Sequence, residues 1–382
     1  MYIPSSEIVG IVDAIENLNV KNNETILLLM AERNLPDIDN LVSELNKLKI
    51  DFIGAIFPGI IHNTDTYDTG TIVHVLPTIQ KPILIKGINT SQKKLEQSIS
   101  PFSPLCKKGT TAFIIVDGMT TDVSPFLTSM YNLFADSIEY LGCGAGFIDM
   151  EQRPCIISPD GFFEDAALIL FLDASCKIGV QHGWVQDIGP LVVTKSEDNI
   201  IKELNWRNAL GVYREALLTN YQVDINIDNG YNVLSHYPFG IYVEGHEDLI
   251  REVFKINEKG ELVCAGNIPE NVVLYILKSD KKKMLHAAEM AVKECLEENE
   301  IDAEHCLVMD CIGRSSYLQD DFIEELSTIK NGLENKNIDL IPEGVLSAGE
   351  IASMKGDVLE YFNKTIVIGV LNGPREKVCR DI

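Results

Sequence analysis

Near the C-terminus, Asp310-Cys-Ile-Gly-Arg314, Gly349-Glu350 and Asn363-Lys-Thr365 bring together a thiol, a guanidinium, carboxylates and an amide. A guanidinium fork suits a carboxylate, and a carboxylate beside an amide oxygen suits an ammonium. Arg314, Glu350 and Asn363 thus have the chemistry to hold a zwitterion in a small pocket, with Asp310, Cys311 and Gly349 as neighbours. The alternative is an internal Arg314–Glu350 ion pair that ties two strands together. Cys311 is a candidate nucleophile, because Arg314 could stabilise a thiolate. It has no local base, and a free Cys is most often a buried small hydrophobe.

These groups need strands to position them. His305 to Cys311 is apolar enough for a buried strand, the stretch after Glu343 ends at Gly349-Glu350, and Asn363 precedes the β-run Thr365 to Leu371. Metal binding is not expected. Cys306 and Cys311 stand an odd number of residues apart and so face opposite sides of a strand, and no CxxC or HExxH occurs.

The same plan recurs along the chain. Strand Thr25–Met30, helix Asp37–Leu48, strand Asp51–Ile56 and strand Thr71–Leu76 form one β-α-β-β unit, with Pro58-Gly59 as a turn. Strand Ala112–Val116, helix Val123–Phe134, a strand from Ile138 to a Gly142–Gly146 tip, and strand Ala166–Leu172 form a second. The third has strand Cys306–Asp310, helix Tyr317–Leu333, strand Gly344–Glu350 and strand Thr365–Leu371. Between the second and third units, short β-runs separated by turn residues suit antiparallel hairpins, broken by helices Asn208–Leu218 and Lys281–Glu298. The polar stretch Asn220 to Asn229 is the expected boundary. The fold class is therefore α+β: two domains of mixed, largely antiparallel sheets covered by helices, with a layered α-β-β-α sandwich as one compatible arrangement.

Length and composition set limits. The 382 residues suffice for two or three domains, and 46% hydrophobic content supplies ample core. A formal charge of −25 argues against nucleic acid and anionic membranes as partners. Nine cysteines without framework spacing suit a reducing cytoplasm. The start, Met1-Tyr-Ile-Pro-Ser-Ser-Glu, lacks the basic and apolar regions of a signal peptide.

The C-terminal trio resembles the signature of the FIST_C domain: Cys-x-Gly-Arg, then Gly-Glu, then Asn-x-Thr before the final strand. Ile138–Gly146, Gly179–Trp184, Val192–Thr194 and Asn199–Leu204 resemble FIST_N. Two departures stand out. Gln186-Asp187 follows Gly-Trp where a Pro is expected, and Asn205-Trp-Arg-Asn208 replaces Asp-Gly-x-Pro. The resemblance implies an N-terminal helical extension over 1–24, a FIST_N-like domain over 25–220 and a FIST_C-like domain over 221–382.

FIST proteins are intracellular sensors, found alone, fused to signalling modules, or in an F-box substrate receptor. The resemblance thus implies a cytoplasmic sensor that binds a small polar ligand such as an amino acid at the Arg314 trio. No kinase, cyclase or F-box segment follows the last strand, so the expected output runs through a separate partner protein. Some FIST proteins carry haem and sense nitric oxide for a histidine kinase. Of the seven histidines here, His182 in Gln-His-Gly-Trp has the best setting for an axial ligand, and His236 is second. A Cys311-dependent hydrolase and a protein-interaction scaffold complete the alternatives.

Overall fold

The computed structural model describes residues 1–106, 109–226, 233–244, 247–297, 303–353 and 359–373. The end of the expected boundary stretch beyond 226 and the last residue of the helix expected to reach Glu298 lie outside them.

Three units of one plan form the main body. Each runs edge strand, helix, strand, helix, a second strand parallel to the first, a β-hairpin, and a closing strand antiparallel to the first. In the first unit the parallel pair is Glu24–Ala31 with Asp51–Phe57, joined by helix Ile38–Lys47 and closed by Thr71–Pro77. In the second it is Thr111–Asp117 with Glu139–Ala145, joined by Ser124–Phe134 and closed by Ala166–Leu172. In the third it is Ala303–Cys311 with Pro342–Ser347, joined by helices Ile312–Leu318 and Phe322–Glu334 and closed by Ile366–Asn372. The edge strands are Tyr2–Ile3, Ile83–Lys86 and Cys176–Gln181. Residues 1–24, expected as a helical extension, thus supply the first unit's edge strand and its helix Ile8–Glu16.

Alternating and continuous apolar runs explain the elements. Ala166–Leu172 is buried along its whole length, as suits a strand covered on both faces. Helix Ile38–Lys47 starts where Asp37 accepts a hydrogen bond from Asn40 N at 3.0 Å, and it turns Leu41, Val42 and Leu45 inward.

Each hairpin leaves its own unit. Gly59–His62 pairs with the third unit's Pro342–Ser347, Ile156–Ser158 with the first unit's Asp51–Phe57, and Glu350–Ser353 with the second unit's Glu139–Ala145. Every six-stranded sheet is therefore completed by another unit. Pro58-Gly59, expected to turn the chain back, instead carries it across to a different sheet. Gly142 and Gly144, expected at a strand tip, lie inside Glu139–Ala145.

A glycine marks the same place in every second strand. Gly54, Gly142 and Gly344 pair with Leu28, Ile114 and Val308, each three residues before the strand's last paired position. A Cβ there would stand 2.8 Å from Leu28 O, 2.0 Å from Ile114 O and 1.8 Å from Val308 O. Only glycine permits that approach.

Side chains from all three sheets, such as Leu28, Leu141 and Met309, meet in one continuous core. Helices cover the outer faces: Lys281–Cys295 and Phe322–Glu334 lie over the third sheet, and Gln92–Ile99 and Ser124–Phe134 over the second. Between Cys176–Gln181 and helix Lys281–Cys295 runs an inserted region with its own eight-stranded sheet, from Val185–Glu197 to Val273–Lys278. It has a separate core that includes Val193, Tyr213 and Phe239. Residue 221, near the expected division, ends helix Ala209–Tyr221 of this insertion.

Candidate functional site

The third unit's strand ends collect charge where the insertion meets the main body. Asp310 and Cys311 end the first strand, Ser347 ends the second, Glu350 opens the hairpin, and Asn363-Lys364 precedes the last strand. All six side chains are buried. The sequence trio therefore does converge on one locality, but a further acid joins it.

Arg314 is fully buried and its fork is filled by Glu325, not Glu350. Nε donates to Glu325 Oε1 at 3.1 Å and Nη2 to Oε2 at 2.6 Å. Nη1 donates to the carbonyl of His182. Asp310 Oδ1 lies 3.3 Å from Arg314 Nε. Burial opposes the charge on Arg314, but Glu325 and Asp310 outweigh it and raise its pKa. Glu325 escaped the sequence reading although a signal existed. It follows Phe322 by three residues and precedes Ile329 by four, so it is a carboxylate on the buried stripe of a helix.

Asp310 behaves differently. Neither of its carboxylate oxygens has a hydrogen-bond partner. Burial and then the Glu325 charge push its pKa well above the usual carboxylate range. A protonated Asp310 becomes a donor facing the Glu325 carboxylate. Burial also pushes Glu350 up to about 8, against a hydrogen bond at 2.7 Å from Ser347 Oγ and a 3.3 Å contact from Thr365 N. The Cys311 thiol is raised by burial and then by Glu350, which keeps it protonated rather than nucleophilic. Gly349 has φ +143, and a Cβ on it would sit 2.3 Å from Tyr361 Cζ. Asn363 Nδ2 donates to Phe362 O at 3.0 Å, while its Oδ1 has no partner.

Lys364 is the second cation that the sequence reading passed over. It is buried, and its Nζ lies 2.8 Å from Glu252 Oε1 of the insertion. Its neighbour Arg251 donates to Tyr361 O at 3.2 Å. These contacts fasten the insertion to the strand ends.

His182 joins this cluster to a cavity. Its ring is buried, and Nδ1 accepts from Trp184 N at 2.9 Å. Nε2 lies 3.3 Å from Glu247 Oε2. Burial and then the Arg314 charge bring its pKa down to about 3. Glu247 in turn lines a cavity of about 510 Å³ formed by the second unit, the third unit's edge strand and helix Lys281–Cys295.

The residues do not fit a haem at His182. Axial ligation through Nε2 requires Nδ1 to donate its proton elsewhere, yet here Nδ1 faces an N–H donor. The neutral ring then carries its proton on Nε2, the atom iron would need. His236 is exposed and packs 5.3 Å from the ring of Tyr317. Among the described residues no group of three His, Cys, Asp or Glu is placed to hold a metal ion, and no helix is long and apolar enough to cross a membrane.

No curated protein matches the sequence. Family models do match: the FIST N domain over residues 25–207 and the FIST C domain over 209–353. With most of its length so covered, the chain belongs to the FIST family, whose domains are associated with sensing in signal transduction.

Proposed function

We propose that this chain is a cytoplasmic sensory protein that binds a small polar molecule and reports its presence through a separate partner protein. The observation that carries the reading is the cavity of about 510 Å³ whose wall residue Glu247 touches His182, which in turn holds Arg314 through its carbonyl. That size suits a metabolite. The cavity adjoins the insertion, and the insertion is anchored by Lys364–Glu252 beside the same cluster. A ligand that repositions Glu247 would thus bear on the attachment of the insertion. A reducing compartment suits the eight described cysteines, all of them free. Arg314 takes part as a relay here, since direct pairing with a ligand carboxylate requires Glu325 to leave its fork.

Trp184 reports on this route, because it meets Tyr317 edge-to-face with ring centres 5.0 Å apart and carries Lys364 Nζ over its ring at 5.5 Å. The only other tryptophan, Trp206, is exposed and removable. A metabolite panel titrated into a Trp206→Phe chain should contain a compound that shifts Trp184 emission and raises the melting temperature. Val180→Phe, which fills the cavity wall, should abolish both effects. A compound whose binding survives Val180→Phe would move the ligand site elsewhere.

A further inference from the structure

We propose that the cavity takes an organic cation, a primary ammonium on a short apolar body, rather than a zwitterion. The inference rests on the cavity being the ligand site. The sequence suggests an amino acid because Arg314 offers a fork for a carboxylate. In the folded protein that fork is closed by Glu325. The cavity wall instead carries Asp136, Glu139, Glu247, Glu294 and Glu297, against Lys177 as its single basic residue. A ligand carboxylate would enter a field of its own sign.

An acidic wall alone would not identify a ligand. The second observation is the His182 nitrogen behind Glu247. Because Nδ1 accepts from Trp184, the proton sits on Nε2 of a buried ring, where it makes no close hydrogen bond. It faces Glu247 Oε2 at 3.3 Å and the backbone of Asp248. A cation drawn to Glu247 from the cavity side would hold that carboxylate ionised and draw it closer to the His182 N–H. Glu294 is placed for the same cation. Its oxygens accept from Val180 N at 3.1 Å and Gln181 Nε2 at 2.7 Å, which fixes the carboxylate in the wall without neutralising it. Ile138, Ile178 and Val180 with the rings of Tyr131 and Tyr140 give the apolar remainder of the lining. The two tyrosine rings lie 6.5 Å apart.

The charges around Glu247 supply a pH signature. Although 44% of the Glu247 side chain is exposed, desolvation of the remainder and then Glu294 push it up to about 7, while the His182 backbone N–H and Arg314 oppose the rise and Asp248 adds to it. An ammonium that binds the ionised form should then bind about tenfold more tightly at about pH 8 than at about pH 6, since ionisation of a group near 7 spans that range.

The experiment is calorimetric titration of the full chain with phenethylamine, 2-phenylethanol and L-phenylalanine. Phenethylamine should bind one per chain and more tightly at high pH. Glu294→Gln should weaken it tenfold or more, and Glu247→Gln should flatten the pH dependence. The alcohol and the amino acid should bind at least tenfold more weakly. Circular dichroism and a melting curve establish that each variant is folded before it is scored. Equal or tighter binding of the alcohol or the amino acid, lost in Val180→Phe, would overturn the cation and leave the cavity reading standing. Phenethylamine binding that Val180→Phe does not touch would overturn the cavity reading itself. No binding of phenethylamine at millimolar concentration would overturn the cation proposal.

Discussion

Asp117 and Asp310 are both fully buried near the end of the first strand of their units, yet their surroundings differ completely. Asp117 accepts from Met119 N at 3.0 Å, Gln152 Nε2 at 2.9 Å and Asp165 N at 2.7 Å. Its charge is spent on closing loops. The Asp310 carboxyl oxygens accept no hydrogen bond and face Arg314 and Glu325. One architecture thus yields a saturated structural carboxylate in the second unit and an unsatisfied, charge-coupled one in the third. The lesson is that a buried acid points to function only after its donors have been counted.

The sharpest break of this contrast is at Arg314. Removing one partner of a buried ion pair costs about 3–5 kcal/mol, so Glu325→Ala should lower unfolding free energy by that order in urea titrations. Arg314→Ala should do likewise. If either change proves nearly neutral, the cluster is not the internally paired unit described. Asp117→Ala should come next, at about 1–3 kcal/mol, since it strands buried donors without leaving an opposite charge alone. A larger loss at Asp117 than at Glu325 would reverse the comparison.

The pH dependence offers a finer probe. Glu350 has a folded pKa of about 8, above its ordinary 4.5. The folded state therefore binds the proton more tightly than the unfolded state, and this group's contribution to stability falls as pH rises from 4.5 through 8. His182 works in the other direction. With a folded value of about 3 against 6.5, its contribution is lost as pH falls from 6.5 through 3. Between about pH 4.5 and 8, wild type should lose stability relative to Glu350→Gln as pH rises, the two pH–stability curves running parallel outside that window. Parallel slopes inside it as well would remove Glu350 from the titrating set.

The smallest effect belongs to His182→Ala. It removes the acceptor for Trp184 N and should cost about 1–2 kcal/mol. Haemin added to wild type, His182→Ala and His236→Ala should give no stoichiometric Soret band in any of them. One haem per chain, lost only in His182→Ala, would overturn the tautomer argument and favour a haem sensor.

Much of this was legible in the sequence. The repeated units, the strand Ala166–Leu172 and the helix capped by Asp37 follow from apolar period and capping chemistry. The convergence of Asp310, Arg314, Glu350 and Asn363 was legible as well, because strand ends carry polar residues for a reason. What the arginine pairs with was not. Period places Glu325 on a buried face but says nothing about which buried group it meets. The short hairpin strands were missed because three or four residues carry no period, and their partners lie in other units. The cavity was missed for the same reason: its wall joins Tyr131, Lys177, Glu247 and Glu294, which only the tertiary fold makes neighbours.

The exchanged hairpins also set an order of assembly. Gly59–His62 emerges early during synthesis, but its pairing partner Pro342–Ser347 is made near the end of the chain. The first unit's Asp51–Phe57 likewise waits for Ile156–Ser158. Until then the nascent protein holds open strand edges, the surfaces most prone to mispairing between chains. Excising one unit would leave its sheet short of a hairpin and its own hairpin without a sheet. The main body is therefore expected to mature late and as a whole, with its charge cluster among the last parts to close, since Lys364 and Glu350 belong to the final unit.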